Sequence, residues 1–438
     1  MMETKLKPRT LHWFALFLLV ASVCINYADR GNLAIAATRL QADLHLSANR
    51  MGFLLGAFSF TYAFAQIGGG KIIDRWNVNW LYALAFFLWS AATGATAFAD
   101  VFWQFLVLRL LLGLSESLAY PAYAKMMVVS FPEKLRGTAN GLIDAGSKLG
   151  PTIGVFVGRG ILLKYGWRSM FLIIGAASLL WLLPWCAVAG KLPHKILMAR
   201  SSKIVQAMSY RTLMESRVFW GTAIGLFGGN YAWYFMLNWL PYYLEKERHY
   251  SGTHLTDVTV ICYGAVAVAS ASFGFLADWF IRRGYNAGKV RQLSMCLGLL
   301  FCCPLMFAAV LAPNERSSTT LLILMFIAMG GWSSNHWALS QLLAGPGTAG
   351  KWTGLQNCIG NFAGIFAPWI TGFALDRTHN FFVAFAIASG FLLVAVISYW
   401  FVVGRPKQVF HLDDDGPYEP PVASSPFLAT TEIRNAGR

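Results

Sequence analysis

The sequence predicts an all-α membrane protein: twelve transmembrane helices in two pseudo-symmetric six-helix bundles. Three observations carry that expectation. First, 56% of the 438 residues are hydrophobic and only 13% are charged, against about 25% charged in a soluble globular domain. Second, apolar runs long enough to cross ~30 Å of hydrocarbon as helices recur along the chain. Third, short motifs of the first half return at matching places in the second. This composition excludes a soluble enzyme, a nucleic-acid binder and a disordered scaffold.

The spans fall near 11–36, 51–73, 79–99, 101–128, 138–163 and 167–190, then 217–243, 257–280, 290–311, 319–344, 351–373 and 380–403. None has the short alternating pattern of an outer-membrane barrel. The first run lacks a small-residue cleavage site and reads as a retained span. Residues 1–190 are therefore expected as an N-terminal six-helix bundle and 217–403 as a C-terminal one. Between them, 191–216 is a basic, mildly amphipathic cytoplasmic linker, and 404–438 is a disordered cytoplasmic tail rich in Asp and Pro.

The net charge of +15 reads as topology. Loops on the side of the termini carry twenty Lys and Arg, including Lys5, Lys71, Lys134, Lys203, Arg282 and Lys407; the opposite loops carry eight. Basic residues accumulate in cytoplasmic loops, so both termini are expected in the cytoplasm, with the protein multi-pass in the cell inner membrane. All seven cysteines lie in apolar runs and read as small hydrophobes. No metal, cofactor or catalytic constellation is visible, so the protein is not expected to be an enzyme. A monomer is expected, with a lipid bilayer as its surroundings and no nucleic-acid partner.

Internal echoes support the two halves. Gly141-Leu142-Ile143-Asp144 returns as Gly354-Leu355-Gln356-Asn357, and Lys148 meets Asn361 at the same offset. Gly70-x-x-x-Asp74-Arg75 after the second span is echoed by Gly274-x-x-x-Asp278 after the eighth. Six-helix halves related by an axis along the membrane normal place the substrate between them.

Charges deep in spans are few: Asp29, Arg30, Arg109, Glu116, Asp144, Lys148 and Arg159. Each costs at least ~2.5–3.5 kcal/mol at mid-membrane unless paired or facing water. Asp144 and Lys148 stand one helical turn apart and read as an ion pair. Asp29 and Arg30 are adjacent, so their side chains diverge by ~100°. Their partners are expected across helices, from the first span to the fourth. Arg159, near a helix end, reads as structural, and His336 as hydrogen-bonded scaffold.

The set describes a cation-rich pocket for an organic anion, with carboxylates that carry protons. Arg30 offers a planar fork to a carboxylate and Lys148 a second positive centre. If the anion competes for that arginine, anion and proton binding become linked, and each favours the other. The second half offers neutral polar groups suited to a polyhydroxylated ligand: Tyr231, Tyr234, Asn238, Asn335, Thr353, Asn357 and Asn361.

The Gly70-x-x-x-Asp74-Arg75 stretch resembles the signature of the major facilitator superfamily, with Asn77 where a glycine is usual. Physically, Asp74 and Arg75, echoed by Asp278, would latch helix ends in one conformation. Asn26-Tyr27-x-Asp29-Arg30, the pair Arg109 and Glu116 in the fourth span, and Trp239-Leu240-Pro241-Tyr242 resemble the anion:cation symporter family. That family includes galactonate, glucarate and hexuronate carriers and sialin-like transporters. The resemblance implies import of a sugar acid or related carboxylate by proton symport with alternating access. It implies that Asp29 and Glu116 couple protons, that Arg30 and Arg109 serve the substrate path, and that Tyr27, Tyr62 and Gln66 face the substrate. Lys148 stands where relatives often carry a neutral residue. Two other readings compete. The fifth-span pattern through Gly137, Gly146, Gly150 and Gly154 resembles that of proton-coupled drug exporters, and two cations would also suit an organophosphate:phosphate antiporter.

Overall fold

Ser47, Asn77, Ser216, Asn286 and Asn314 each begin a helix by accepting a hydrogen bond from a first-turn amide, at 2.9–3.3 Å. Such caps satisfy amides that a helix leaves unpaired, and they fall at the junctions between apolar runs. In the computed structural model, residues 10–131, 133–193, 210–344 and 349–409 are described. Within these, the side chains at 67–71, 74–75, 124, 128–129, 133–138, 140–141, 144, 148 and 349–350 fall outside the description.

The first half comprises α1 (Thr10–Leu44), α2 (Ala48–Arg75), α3 (Val78–Ala95), α4 (Phe102–Glu116), α5 (Ala119–Ser130), α6 (Glu133–Leu179) and α7 (Leu182–Ala189). After the short α8 (Tyr210–Glu215) come α9 (Arg217–Lys246), α10 (Gly252–Arg282) and α11 (Ala287–Leu311). The chain ends with α12 (Glu315–Ser333), α13 (His336–Ala344), α14 (Ala349–Asn361), α15 (Ala363–Thr378) and α16 (Phe382–Ile397). Among the described residues, nine helical stretches are long and apolar enough to cross a bilayer. One of them, Ala145–Ala189, holds two crossings joined at Gly166, whose φ of +81° only glycine adopts at little cost. With α2 and α9, of 28 and 30 residues, the set fits twelve crossings.

Two differences from the sequence expectation concern where helices stop. The first span was expected to end near 36, yet α1 runs to Leu44. Its charged extension still packs: Leu40 is fully buried, and Asp43 accepts a 2.7 Å hydrogen bond from the Trp167 indole. The fourth, tenth and eleventh crossings are each broken in two, around 117–118, 334–335 and 362. Of the expected linker and tail, 194–209 and 410–438 lie outside the described residues.

Each half has its own aromatic core. Phe86 stacks on Trp181 at 4.1 Å in the first, while Tyr243 and Phe381 meet Phe385 in the second. Outward, Phe17, Trp103, Phe156, Leu183, Val268 and Phe401 are more than 60% exposed. Such faces suit lipid and would be untenable in water.

The halves join at the end of the molecule opposite the termini. There α2 lies against α15 so closely that a Cβ on Gly56 would stand 2.7 Å from the Ile365 carbonyl oxygen. Asp376 of α15 accepts hydrogen bonds from the Ala48 and Asn49 amides that open α2, both at 2.8 Å. Nearby, Arg159 of α6 pairs with Glu245 of α9 at 3.6 Å, in keeping with the structural reading of that arginine.

Candidate anion site

The site is built on α1. Ser22, Asn26, Asp29 and Arg30 recur at helical spacing, and all are buried. The fifth-span glycines let α6 press against this helix: a Cβ on Gly150 would lie 2.6 Å from the Tyr27 Cβ and 2.7 Å from the Cys24 carbonyl oxygen. The glycine pattern thus has a packing role, and it fixes where the Tyr27–Arg30 turn points.

Arg30 donates from Nε to Glu116 Oε2 at 2.8 Å, with the two side chains 6% and 0% exposed. This is a pairing from first span to fourth, as the sequence suggested. Three rings surround the guanidinium, its carbon lying 4.4 Å from the centre of Tyr27, 4.6 Å from Tyr62 and 5.0 Å from Phe58. Aromatic faces stabilise a desolvated cation. One terminal nitrogen of Arg30 is buried without a hydrogen-bond partner, as is Glu116 Oε1. Beside this pair, Arg109 lies 5.5 Å from the centre of the same Phe58 ring, and its Nε is also unpartnered. Asp29 accepts one bond from Asn32 at 3.2 Å, while its other oxygen has none. Two guanidiniums and two carboxylates are therefore packed together with hydrogen-bonding capacity to spare. Buried charge is retained only where it is paired or serves a ligand.

The facing wall comes from the second half. Tyr234 donates to Asn361 Oδ1 at 2.8 Å, and the Asn361 amide donates to the Asn357 carbonyl at 2.9 Å. Asn357 in turn donates to Gln66 of the first half at 3.3 Å, and Asn238 donates to the Tyr234 carbonyl at 2.8 Å. Tyr234 stands within electrostatic reach of Arg30. Tyr27 bonds Tyr120 at 3.0 Å. Thr353 is half-buried one turn before Asn357.

Two expected contact residues do not join this group. Tyr231 stacks on Phe391 at 4.2 Å inside the second half. Asn335 sits at the break between α12 and α13, where its amide bonds Ser294, Gly331 and Ser334 and accepts from Arg291. That same Arg291 donates to Asp278 at 2.9 Å, a tie between α10 and α11 at the place expected for a latch. The side chains of Asp74, Arg75, Asp144 and Lys148 lie outside the described residues. Sequence reasoning missed Phe58 and Asn26. Phe58 stands one turn before Tyr62 and was legible by spacing; Asn26 stood in the quoted motif without a role. A 450 Å³ concavity lined by Ala95, Phe98, Trp103 and Val107 opens on the lipid-facing surface and carries no charge.

Residues 19–368 match the sequence pattern of the Major Facilitator Superfamily, and the chain belongs to that superfamily of transporters. It is 30% identical to the hexuronate transporter of Bacillus subtilis (strain 168), over 89% of this chain and 95% of that one. It is 28% identical to the D-galactonate transporter of Escherichia coli O6:H1, over 92% of this chain and 98% of the relative. In fold it is similar to a bacterial homologue of the human lysosomal transporter Spinster, solved in an inward-facing, unoccupied conformation. The TM-score is 0.78 at 18% identity, covering 91% of this chain and 98% of that one. The protein is thus a multi-pass membrane transporter and not an enzyme.

Proposed function

We propose that this transporter imports a sugar-acid anion, such as a hexuronate, galactonate or glucarate, together with protons. The observation that carries the reading is the state of Arg30. Glu116 occupies its Nε, aromatic rings hold it on three sides, and a terminal nitrogen has no partner. A substrate carboxylate can dock on this free nitrogen, and on the rest of the planar fork once Glu116 is displaced. The names of the two relatives, both carriers of sugar acids, support the same class.

The mechanism follows from competition. The anion docks on Arg30 and draws it away from Glu116. Glu116, left buried beside fewer positive groups, takes a proton on its carboxylate, and Asp29 beside Arg109 serves as the second proton carrier. Anion and proton then bind cooperatively and cross together. Tyr27, Tyr62 and Gln66 from the first half and Tyr234, Asn238, Thr353, Asn357 and Asn361 from the second bond the hydroxyls. Lys148 adds a positive centre tempered by Asp144. Asp74, Arg75 and Asp278 latch the membrane-surface ends.

Orientation rests on the basic loops. With both termini cytoplasmic in the inner membrane, the joined end faces outward and the described state is inward-facing. Residues 1–190 and 217–403 rock as two bodies about the site, joined by the linker at 191–216, and a single chain suffices. In proteoliposomes with an imposed proton gradient, labelled D-glucuronate or D-galactonate accumulates inside and a protonophore abolishes the accumulation. Uptake indifferent to the gradient refutes symport.

A further inference from the structure

Asn26 is fully buried on α1, one helical turn before Arg30, and its side chain lies beside Glu116. Asn26 Nδ2, Asn26 Oδ1 and Glu116 Oε1 make no hydrogen bond of full geometry, so the contact between the amide and the carboxylate is a loose one. A buried amide and carboxylate that touch only loosely, inside a membrane protein, call for an explanation. Glu116 Oε2 already accepts from Arg30, so Oε1 is the oxygen left to change its hydrogen bonding.

An ionised carboxylate oxygen needs a donor, whereas a protonated one becomes an O–H that needs an acceptor. Few side chains meet both demands. Serine and asparagine do, because each carries donor and acceptor; leucine meets neither, and ionised aspartate only the second. We propose that Asn26 is a positioning residue that serves Glu116 in both protonation states. Its Nδ2 donates to Oε1 when Glu116 is ionised, and its Oδ1 accepts from the carboxylic O–H when Glu116 carries the proton. The exchange requires a half-turn of the amide and no backbone motion. The proton itself passes between Glu116 and water of the substrate path, and Asn26 neither gains nor loses one. The inference rests on the proposed role of Glu116 in proton coupling.

Other charged and titratable groups bear on the same carboxylate. They are Asp29 and Arg30 on α1, Arg109 on α4, Tyr62 on α2 and Tyr82 on α3. Tyr123 on α5 acts through Arg30, and on α6 the side chains of Asp144 and Lys148 lie outside the described residues. The cations only donate, and the tyrosine hydroxyls, which could do both, are engaged elsewhere, Tyr62 with Arg30. Tyr82 and Tyr123 bond each other and Ser22 at 2.7–3.4 Å.

The test is the pH profile of counterflow in proteoliposomes, with labelled D-glucuronate and D-galactonate as probes. Asn26→Leu removes donor and acceptor while keeping the branched shape and the number of side-chain heavy atoms. A charge-assisted hydrogen bond outweighs a neutral one, so the ionised form loses more. The half-maximal point moves to higher pH by about tenfold in proton concentration. Asn26→Ser, which keeps both functions in one hydroxyl, stays within about threefold of the parent. If the leucine variant does not fold, Asn26→Asp replaces it: similar in shape, it places a second acid beside Glu116 and moves the midpoint the same way. A midpoint unmoved in the leucine or aspartate variant overturns the proposal, provided Glu116→Gln has lost gradient-driven uptake. If Glu116→Gln retains that uptake, the coupling role fails first and this inference falls with it.

Discussion

Asp376→Ala should loosen the closure at the end opposite the termini by about 1–2 kcal/mol. The carboxylate accepts from the Ala48 and Asn49 amides at 2.8 Å each, and those amides belong to the first turn of α2. Loss of such a cap costs about 1 kcal/mol, and loss of a negative charge from the positive end of a helix adds ~0.3–1 kcal/mol. Ser47 still caps Arg50, so α2 itself stays folded. The contact bridges the halves, hence it cannot survive when α2 and α15 separate. Its loss therefore falls on one side of the conformational equilibrium, shifting it about 5–30-fold toward the open far end. Spin labels at the exposed positions His45 and Asn380, one on each half, report this as a change in the populations of short and long distances. Asp376→Asn, which keeps an acceptor and loses the charge, should fall between. A distance distribution unchanged within about twofold in Asp376→Ala would refute the reasoning, since the bond would then contribute nothing to closure.

Two further outcomes follow from the site and its scaffold. Arg30→Lys loses the planar fork and its stacking on Tyr27, Tyr62 and Phe58. At roughly 1.5–3 kcal/mol per charged hydrogen bond, half-saturation of D-galactonate counterflow should rise about 10–100-fold. Gly150→Val forces a side chain where Tyr27 and the Cys24 carbonyl already stand; overpacking of ~1–3 kcal/mol should lower the Tm in detergent. Gly160→Ala, with open space around it, should not lower it.

The parts legible in the sequence are those that depend on solvent. Long apolar runs and capped junctions mark the crossings because lipid demands helices with satisfied backbones. The deep charges were legible because each is costly, and a pairing between the first and fourth spans followed because neighbours on one helix cannot face each other; which residues pair did not. Direction within the bundle was not legible. Tyr231 and Tyr234 lie on the same helix, yet one stacks on Phe391 inside its own half and the other bonds Asn361 within electrostatic reach of Arg30. A helix covered on all sides gives no polarity signal for which face meets the partner half. The place of Asn335 was not legible for a related reason: a polar residue that bonds at a helix break looks the same in sequence as one that waits for a ligand. Asp376 escaped because a carboxylate near a helix end reads as a solvated loop charge until the helix it caps, more than 300 positions away, is known.

The most direct test of the central claim compares the parent protein with Glu116→Gln in proteoliposomes, following labelled D-glucuronate and D-galactonate. Glutamine keeps the shape and a hydrogen bond for Arg30 but cannot carry a proton. The account predicts that the variant still exchanges anion across the membrane and no longer accumulates it against a gradient when protons are supplied. Accumulation driven by protons at the parent level in Glu116→Gln would contradict it.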